Sequence, residues 1–478
     1  MRRFAALLVL FAATAAAAAT NPVAQPSKLS SEWQARTRAM FETAIEIPTV
    51  AGRGQVPKLA DYLAAQLRAG GIAAEDIRIM PYEGVPGDQT VSLIARWRAD
   101  KPTKKPIILL AHMDVVEAKR SDWKQDPFEF IERDGYFYGR GTSDDKQGVI
   151  ATTAALLKLK SQGFKPDRDI ILFFTGDEET QMNGARLGAT EWLKDSGAEF
   201  ALNADAGGGA YTADGKPLGF GIQTAEKIFQ SYHFTVRNRG GHSSRPRPDN
   251  AIYDLATALK KLESHRFQPI LNETTRAYFT ERAKQEGDSA LGKAMRAWLA
   301  NPNDAAAADA VDASPLEVGT TRTRCVATML EAGHAENALP QLAQATVNCR
   351  IMPGLDPKTV EAELERLVGP GVEVTPFPDQ GRMSPVSPLR PDVVNAYSRA
   401  VQALHGKGMQ VIPQMSTGAT DGSWFRANGV PVYGVEGSWG ISPDDERAHG
   451  LDERLPVRAM YDDVVHWEMM LRDLAGGR

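Results

Sequence analysis

The sequence predicts an α/β protein whose sheet is covered by helices on both faces, with a two-layer α+β unit inserted into it. Three observations predict this. Short apolar runs alternate with helical stretches, those runs end in acidic or histidine residues, and after Gly221 the texture changes to strands that alternate polar and apolar. A strand apolar at every position has both faces buried. Open sheets of that kind hold their ligands beyond the carboxyl ends of the strands.

The elements follow in order. Glu32–Ile45 and Lys58–Gly70 carry helical periodicity, and Gly70-Gly71 stops the second helix. Pro106–Ala111 is an apolar strand ending in His112-Met113-Asp114, and Lys146–Gln162 reads as a helix. Asp169–Thr175 is a second strand, ending in Gly176-Asp177-Glu178-Glu179, and Glu199–Asn203 a third, ending in Ala204-Asp205. Past Gly221, Ser231–Arg239 puts Tyr232, Phe234 and Val236 on one face. Asn250–Leu262 is an amphipathic helix, Thr274–Ser314 is helical and Ala-rich, and Pro357–Leu367 is a further helix. Two β-like stretches, Thr323–Leu330 and Ala343–Met352, hold Cys325 and Cys349 nearly opposite each other if they pair about Asn337. They are then either bridged across the strands or two buried thiols. From Ser384 the strand–helix alternation resumes, with Val430–Val435 a short apolar strand.

Composition narrows the function. Lys and Arg number 55 against 60 Asp and Glu, so there is no basic footprint for nucleic acid. Two cysteines in 478 residues exclude a disulfide scaffold and most cysteine-rich zinc modules. Arg2 and Arg3, the apolar run Phe4–Ala13 and an Ala-rich tract to Ala19 read as a secretory signal peptide cut near Ala19. A buried helix or an uncleaved anchor is the alternative. Cleavage implies a secreted or periplasmic protein with no membrane span after it.

The candidate site residues are His and carboxylates at strand ends. His112 and Asp114 are two apart on an extended segment, so Asp114 can orient His112 from behind; alone, such a pair is more often a surface turn. Gly139-Arg140-Gly141-Thr142-Ser143-Asp144-Asp145-Lys146 brings two carboxylates to a helix start, as helix cap, as metal ligand, or as both. In Asp177-Glu178-Glu179 the adjacent carboxylates repel unless cations or protons compensate. One can bind metal while another takes a proton from water.

Taken in order, His112-x-Asp114, Gly-Arg-Gly-x-x-Asp144-Asp145-Lys, Asp177-Glu178-Glu179, Asp205, Gly241-His242-Ser243-Ser244-x-Pro246, Asn337-x-x-Pro340, Arg350 and His449 resemble one family. It is the co-catalytic zinc metallopeptidase family of carnosinases, glutamate carboxypeptidase, aminoacylase, acetylornithine deacetylase and succinyl-diaminopimelate desuccinylase. The long Thr274–Ser314 segment resembles its carboxypeptidase S-like branch. The resemblance implies a mixed-sheet zinc-peptidase domain covered on both faces and an inserted α+β lid of the dimerisation type. It divides the chain into a signal peptide (1–19), a catalytic domain in two parts (28–222 and 379–478) and the lid (223–378).

The resemblance also implies roles. Asp144 bridges two Zn2+ ions per subunit, for which Co2+ or Mn2+ can substitute; His112 and Asp205 complete one site, Glu179 and His449 the other. Asp114 holds the imidazole of His112, Glu178 is the general base, and the Asp144–Asp145 bond is cis. His242 stabilises the oxyanion, supplied in dimers by the other subunit. Arg350, with Asn337 near it, holds a substrate carboxylate, and Gly418 makes a backbone contact near it. The expected activity is a carboxypeptidase or dipeptidase releasing a C-terminal amino acid. The alternative with the same site is an N-acyl amino acid amidohydrolase. A binding protein that kept the fold is a third class, against which the intact ligands and Glu178 argue. A homodimer through the lid is the expected partner state.

Overall fold

The computed structural model describes residues 21–378 and 380–477; the predicted signal peptide lies outside them. Eight strands form the larger sheet. Across it they run Ile77–Glu83, Gln89–Trp97, Ile170–Thr175, Ile107–His112, Phe200–Tyr211, Val432–Ile441, Pro217–Glu226 and Val411–Ser416. The four central strands are mutually parallel, and antiparallel neighbours flank them, so the sheet is mixed.

Period-two alternation explains why these apolar runs are strands with two dry faces. Ile107, Leu109 and Ala111 enter the larger core with the helices Ser31–Glu46, Lys146–Ser161 and Val457–Ala475. Ile108 and Leu110 point into a thinner core on the other face, with Phe173 and Phe425. The helix Lys146–Ser161 is buried on nearly every side, which is why its sequence carries so few polar residues between the two ends.

A second, four-stranded antiparallel sheet runs Arg324–Ala332, Leu342–Ile351, Ile228–Arg237, Glu373–Pro376. The helices Ala251–Ser264 and Pro357–Val368 cover one face, over Tyr232, Phe234, Val236 and Val347. Cys325 stands directly opposite Cys349 and the two form a disulfide, which decides between the two alternatives.

One element differs from expectation. The third strand does not stop at Asn203; it continues as Phe200–Tyr211, and Asp205 lies inside it. Its pairing with Ile107–Leu110 ends at Asn203, so Asp205 still emerges beyond the neighbouring strand. The extension carries the glycines 207–209, and a glycine run is what the close approach requires. A Cβ at Gly207 would meet the backbone of Gly434, Glu436 and Gly221 at 2.9–3.0 Å. The Ala-rich segment forms three helices, Glu273–Glu286, Ala290–Ala300 and Ala305–Asp312, with a small core of Phe279, Met295, Trp298 and Val311. The first of them packs along Val411–Ser416, the edge of the larger sheet. No helix among the described residues is long and apolar enough to cross a membrane.

Candidate metal centre

Five segments converge at the carboxyl ends of the central strands. His112 ends its strand and is buried. Its Nδ1 faces the main-chain carbonyl of Asp114 at 3.0 Å, and the Asp114 carboxylate lies at 3.5 Å. Its Nε2 lies 3.0 Å from Asp144 Oδ1 and 3.7 Å from Asp205 Oδ1. His449 Nε2 lies 3.1 Å from Asp144 Oδ2 and 2.8 Å from Glu179 Oε1. The two oxygens of Asp144 therefore face two separate donor groups, one with His112 and Asp205, the other with Glu179 and His449. The Asp144–Asp145 peptide is cis.

The three carboxylates of Asp177-Glu178-Glu179 have different work. Asp177 accepts from Tyr82 Oη at 2.7 Å and from the amides of Asn183 and Gly184, so it ties the turn after the strand. Glu179 meets His449. Glu178 is buried, and its carboxylate accepts no hydrogen bond from any described residue. Asp114 accepts the amides of both Glu178 and Glu179 at 3.1 Å, one on each carboxylate oxygen. It therefore positions the Glu178-Glu179 turn more directly than it holds the imidazole, whose nearer acceptor is a carbonyl.

Charge explains the pKa directions. Burial first, then neighbouring carboxylates, push Glu178 well above its ordinary range. Burial raises Asp205 to about 6 against the pull of His112. For His112, burial opposes the charge, but the carboxylates of Asp114, Asp144 and Asp205 outweigh it and raise the pKa. For Asp144, burial opposes ionisation, and the two imidazoles overcome it and hold the carboxyl below its ordinary range. Nitrogen and oxygen donors crowded this closely are what divalent cations compensate. The donor set of two imidazoles and three carboxylates fits such a cation, and His112, Asp144 and Glu179 bring ligand atoms within 4.8 Å of one another. Asp145 is a fourth carboxylate within reach of His112 and Asp205. It accepts the His112 main-chain amide at 3.1 Å.

The cluster opens into a cavity of about 670 Å³ that Glu178, Arg350, Gly418 and His449 help to line. Arg350 stacks on Phe229 at 4.7 Å and forms no ion pair with any described residue. Gly418 contributes backbone, its own amide donating to Ser416 Oγ. His242 and Asn337 do not line this cavity. They lie together on the small ladder Gly241–His242/Ala338–Leu339, with His242 exposed and the Asn337 carbonyl accepting the Ser243 amide.

One residue that organises the site was not visible in the sequence. Glu453 is fully buried and collects the amides of Gly141, Ser143 and Asp144, the Ser143 hydroxyl, and Arg140 Nη1 at 2.6 Å. Burial raises its carboxyl against the pull of Arg140. The geometry still requires the anion, because all five partners donate. The glycine-rich loop is thus wrapped around a carboxylate four residues past His449. A lone Glu in an acidic stretch carries no spacing that would announce it.

A carboxylate–histidine cluster able to hold metal at the strand ends of a mixed α/β sheet, with a carboxylate beside it that is unpartnered among the described residues, defines a metal-dependent hydrolase. Residues 108–473 match the model of peptidase family M20/M25/M40, and the chain belongs to that family. It is similar to the human N-fatty-acyl-amino acid synthase/hydrolase PM20D1, 28% identical over 449 residues that cover 91% of this chain and 87% of the relative. It is also similar to the probable carboxypeptidase S-like 2 of Dictyostelium discoideum, 29% identical over 77% of this chain and 71% of the relative. The solved M20 metallo-carboxypeptidase Sso-CP2 of Sulfolobus solfataricus shares the fold at a TM-score of 0.66 and 18% identity, covering 91% of this chain and 98% of that one. The protein is thus a hydrolase of the metallopeptidase type.

Proposed function

We propose that the protein hydrolyses the amide bond on the amino side of an amino acid with a free carboxylate, as a carboxypeptidase or dipeptidase. The observation that carries this is Arg350, a guanidinium without an anion partner among the described residues, in the same cavity as the metal cluster and Glu178. A second reading, hydrolysis of N-acyl amino acids, is favoured by the similarity to human PM20D1 across nearly the whole chain. Both use the same groups.

His112, Asp144 and Asp205 would hold one ion, and Asp144, Glu179 and His449 the other; zinc suits the mixed nitrogen and oxygen donors. When bound, the pair lowers the pKa of a water and supplies positive charge at the scissile carbonyl. Glu178, its pKa raised by burial, takes the proton of the attacking water and returns it to the leaving nitrogen. Arg350 orients the carboxylate of the leaving amino acid, and the backbone at Gly418 borders it. His242 is assigned to the oxyanion from a partner copy, which fits its exposure and its place outside the cavity lining. The lid edge strand Arg324–Ala332, with Val326, Met329 and Leu330 exposed, is the surface on which such a dimer would form. Export from the cytoplasm is proposed on the N-terminal apolar tract and is consistent with the disulfide.

The test is a panel of dipeptides, longer peptides and N-acyl amino acids assayed with metal-loaded and metal-stripped protein. Turnover should depend on metal and on a free carboxylate. Glu178→Ala should keep its metal and lose about 10²–10⁴-fold or more in kcat. Hydrolysis at a normal rate by that variant would remove the assignment of the base.

A further inference from the structure

Lys227 is the single residue between the last strand that enters the larger sheet from this segment, Pro217–Glu226, and Ile228–Arg237 of the smaller sheet. Both units fix it. Its amide donates to the Ser416 carbonyl at 3.0 Å, and its Nζ to the Arg322 carbonyl at 2.6 Å. It is only 1% exposed, yet it borders the cavity that holds Arg350 and the metal cluster.

Both cations border one cavity. Arg350 pairs across the ladder with Phe229, and Lys227 stands immediately before the strand that carries Phe229. The two are near enough for the charge of Arg350 to act on Lys227. No carboxylate among the described residues neutralises them. Asp312 is shared between Arg322 and Arg324, and Asp309 pairs with Arg322. Neither Lys227 nor Arg350 forms an ion pair with a described residue. Burial, then the nearby Arg324 and Arg350, lower the Lys227 pKa to about 7, while Asp312 acts the other way. A buried ammonium with a single neutral acceptor is poorly compensated. An anion arriving between it and Arg350 would relieve both.

We propose that Lys227 is a second cationic anchor for the substrate carboxylate, so that the pocket selects acyl or peptidyl amino acids with an unblocked carboxylate and rejects their carboxamides. This rests on the hydrolase reading above. The carboxylate would tie the smaller unit, through Arg350, to the junction at Lys227. A carboxamide of the same shape brings no charge and leaves a buried cation uncompensated, which is how such sites discriminate strongly.

The experiment measures kcat and KM of the metal-loaded enzyme on one substrate and on its carboxamide, together with calorimetric binding of the free product amino acid. In Lys227→Met the carboxylate-to-carboxamide ratio of kcat/KM should fall at least tenfold, mainly through KM, with product binding weakened in parallel. Arg350→Met leaves Lys227 untouched and tests the same idea without disturbing the buried position. At least tenfold preference for the carboxylate should survive in it. An unmoved ratio in folded Lys227→Met, or complete loss of preference in Arg350→Met, overturns the proposal while the hydrolase reading stands. A wild-type enzyme that does not prefer the carboxylate removes that reading, and this proposal with it.

Discussion

Replacing Glu453 by Gln keeps the shape of the side chain and removes the charge around which the Gly139–Asp144 loop is folded. The carboxylate receives five donors, three of them main-chain amides, and pairs with Arg140, which is 2% exposed. An amide has one oxygen to offer. Whichever way it turns, its NH2 faces either Gly141 and Arg140 or Ser143 and Asp144. Breaking a buried ion pair by removing one partner costs about 3–5 kcal/mol. A loss of about 3 kcal/mol is therefore expected, at the low end because one acceptor remains. The Asp144 amide is among the released donors, so affinity for metal should fall by about 10–100-fold as well. Urea unfolding of the metal-loaded protein reads the first effect, and elemental analysis after dialysis against a weak chelator reads the second. If Glu453→Gln unfolds within about 0.5 kcal/mol of the parent, the range of ordinary surface substitutions, and keeps its full metal content, the account of the loop is wrong.

Other outcomes follow from the same contacts. Asp114→Ala removes the acceptor for the amides of Glu178 and Glu179 and should weaken metal retention about 10-fold or more while lowering kcat; unchanged metal content would refute its positioning role. His466 is buried with Nδ1 unpartnered, and burial lowers its pKa to about 3. Its folded pKa lies below the unfolded one, so the neutral ring stabilises the fold fully above about pH 6.5, and this is lost as pH falls toward 3. The urea midpoint should drop over that window, less steeply in His466→Leu; identical slopes would exclude His466 as the cause. Reducing the Cys325–Cys349 bridge, which spans 24 residues, should destabilise the protein by about 3 kcal/mol without releasing metal. Free-thiol titration against the unfolding midpoint checks it.

The reading of the fold from sequence was strongest where information is local. Ile107–His112 and Ile170–Thr175 are strands because every position is apolar over a short span, and their final residues mark the site edge whatever the rest of the chain does. The full length of Phe200–Tyr211 is not local information, because its glycines show their role only against the distant backbones packed on them. The helices of the Ala-rich segment are legible, but the seat of the first on the strand Val411–Ser416 is not, since that strand lies well over a hundred residues later.

By itself the sequence determined the chemical types at the centre. His-x-Asp, paired aspartates at a helix start and an acidic triplet after a strand are short-range spacings, and backbone geometry converts such spacings directly into direction. Only tertiary structure decided how the work is divided. It gave Asp177 to the turn, left Glu178 without a donor among the described residues, set Glu453 under the glycine loop, and put Lys227 on the same cavity as Arg350. Each of those outcomes depends on which distant donors and charges arrive through space, and on how much water their arrival excludes. A side chain's spacing from its chain neighbours does not encode either quantity.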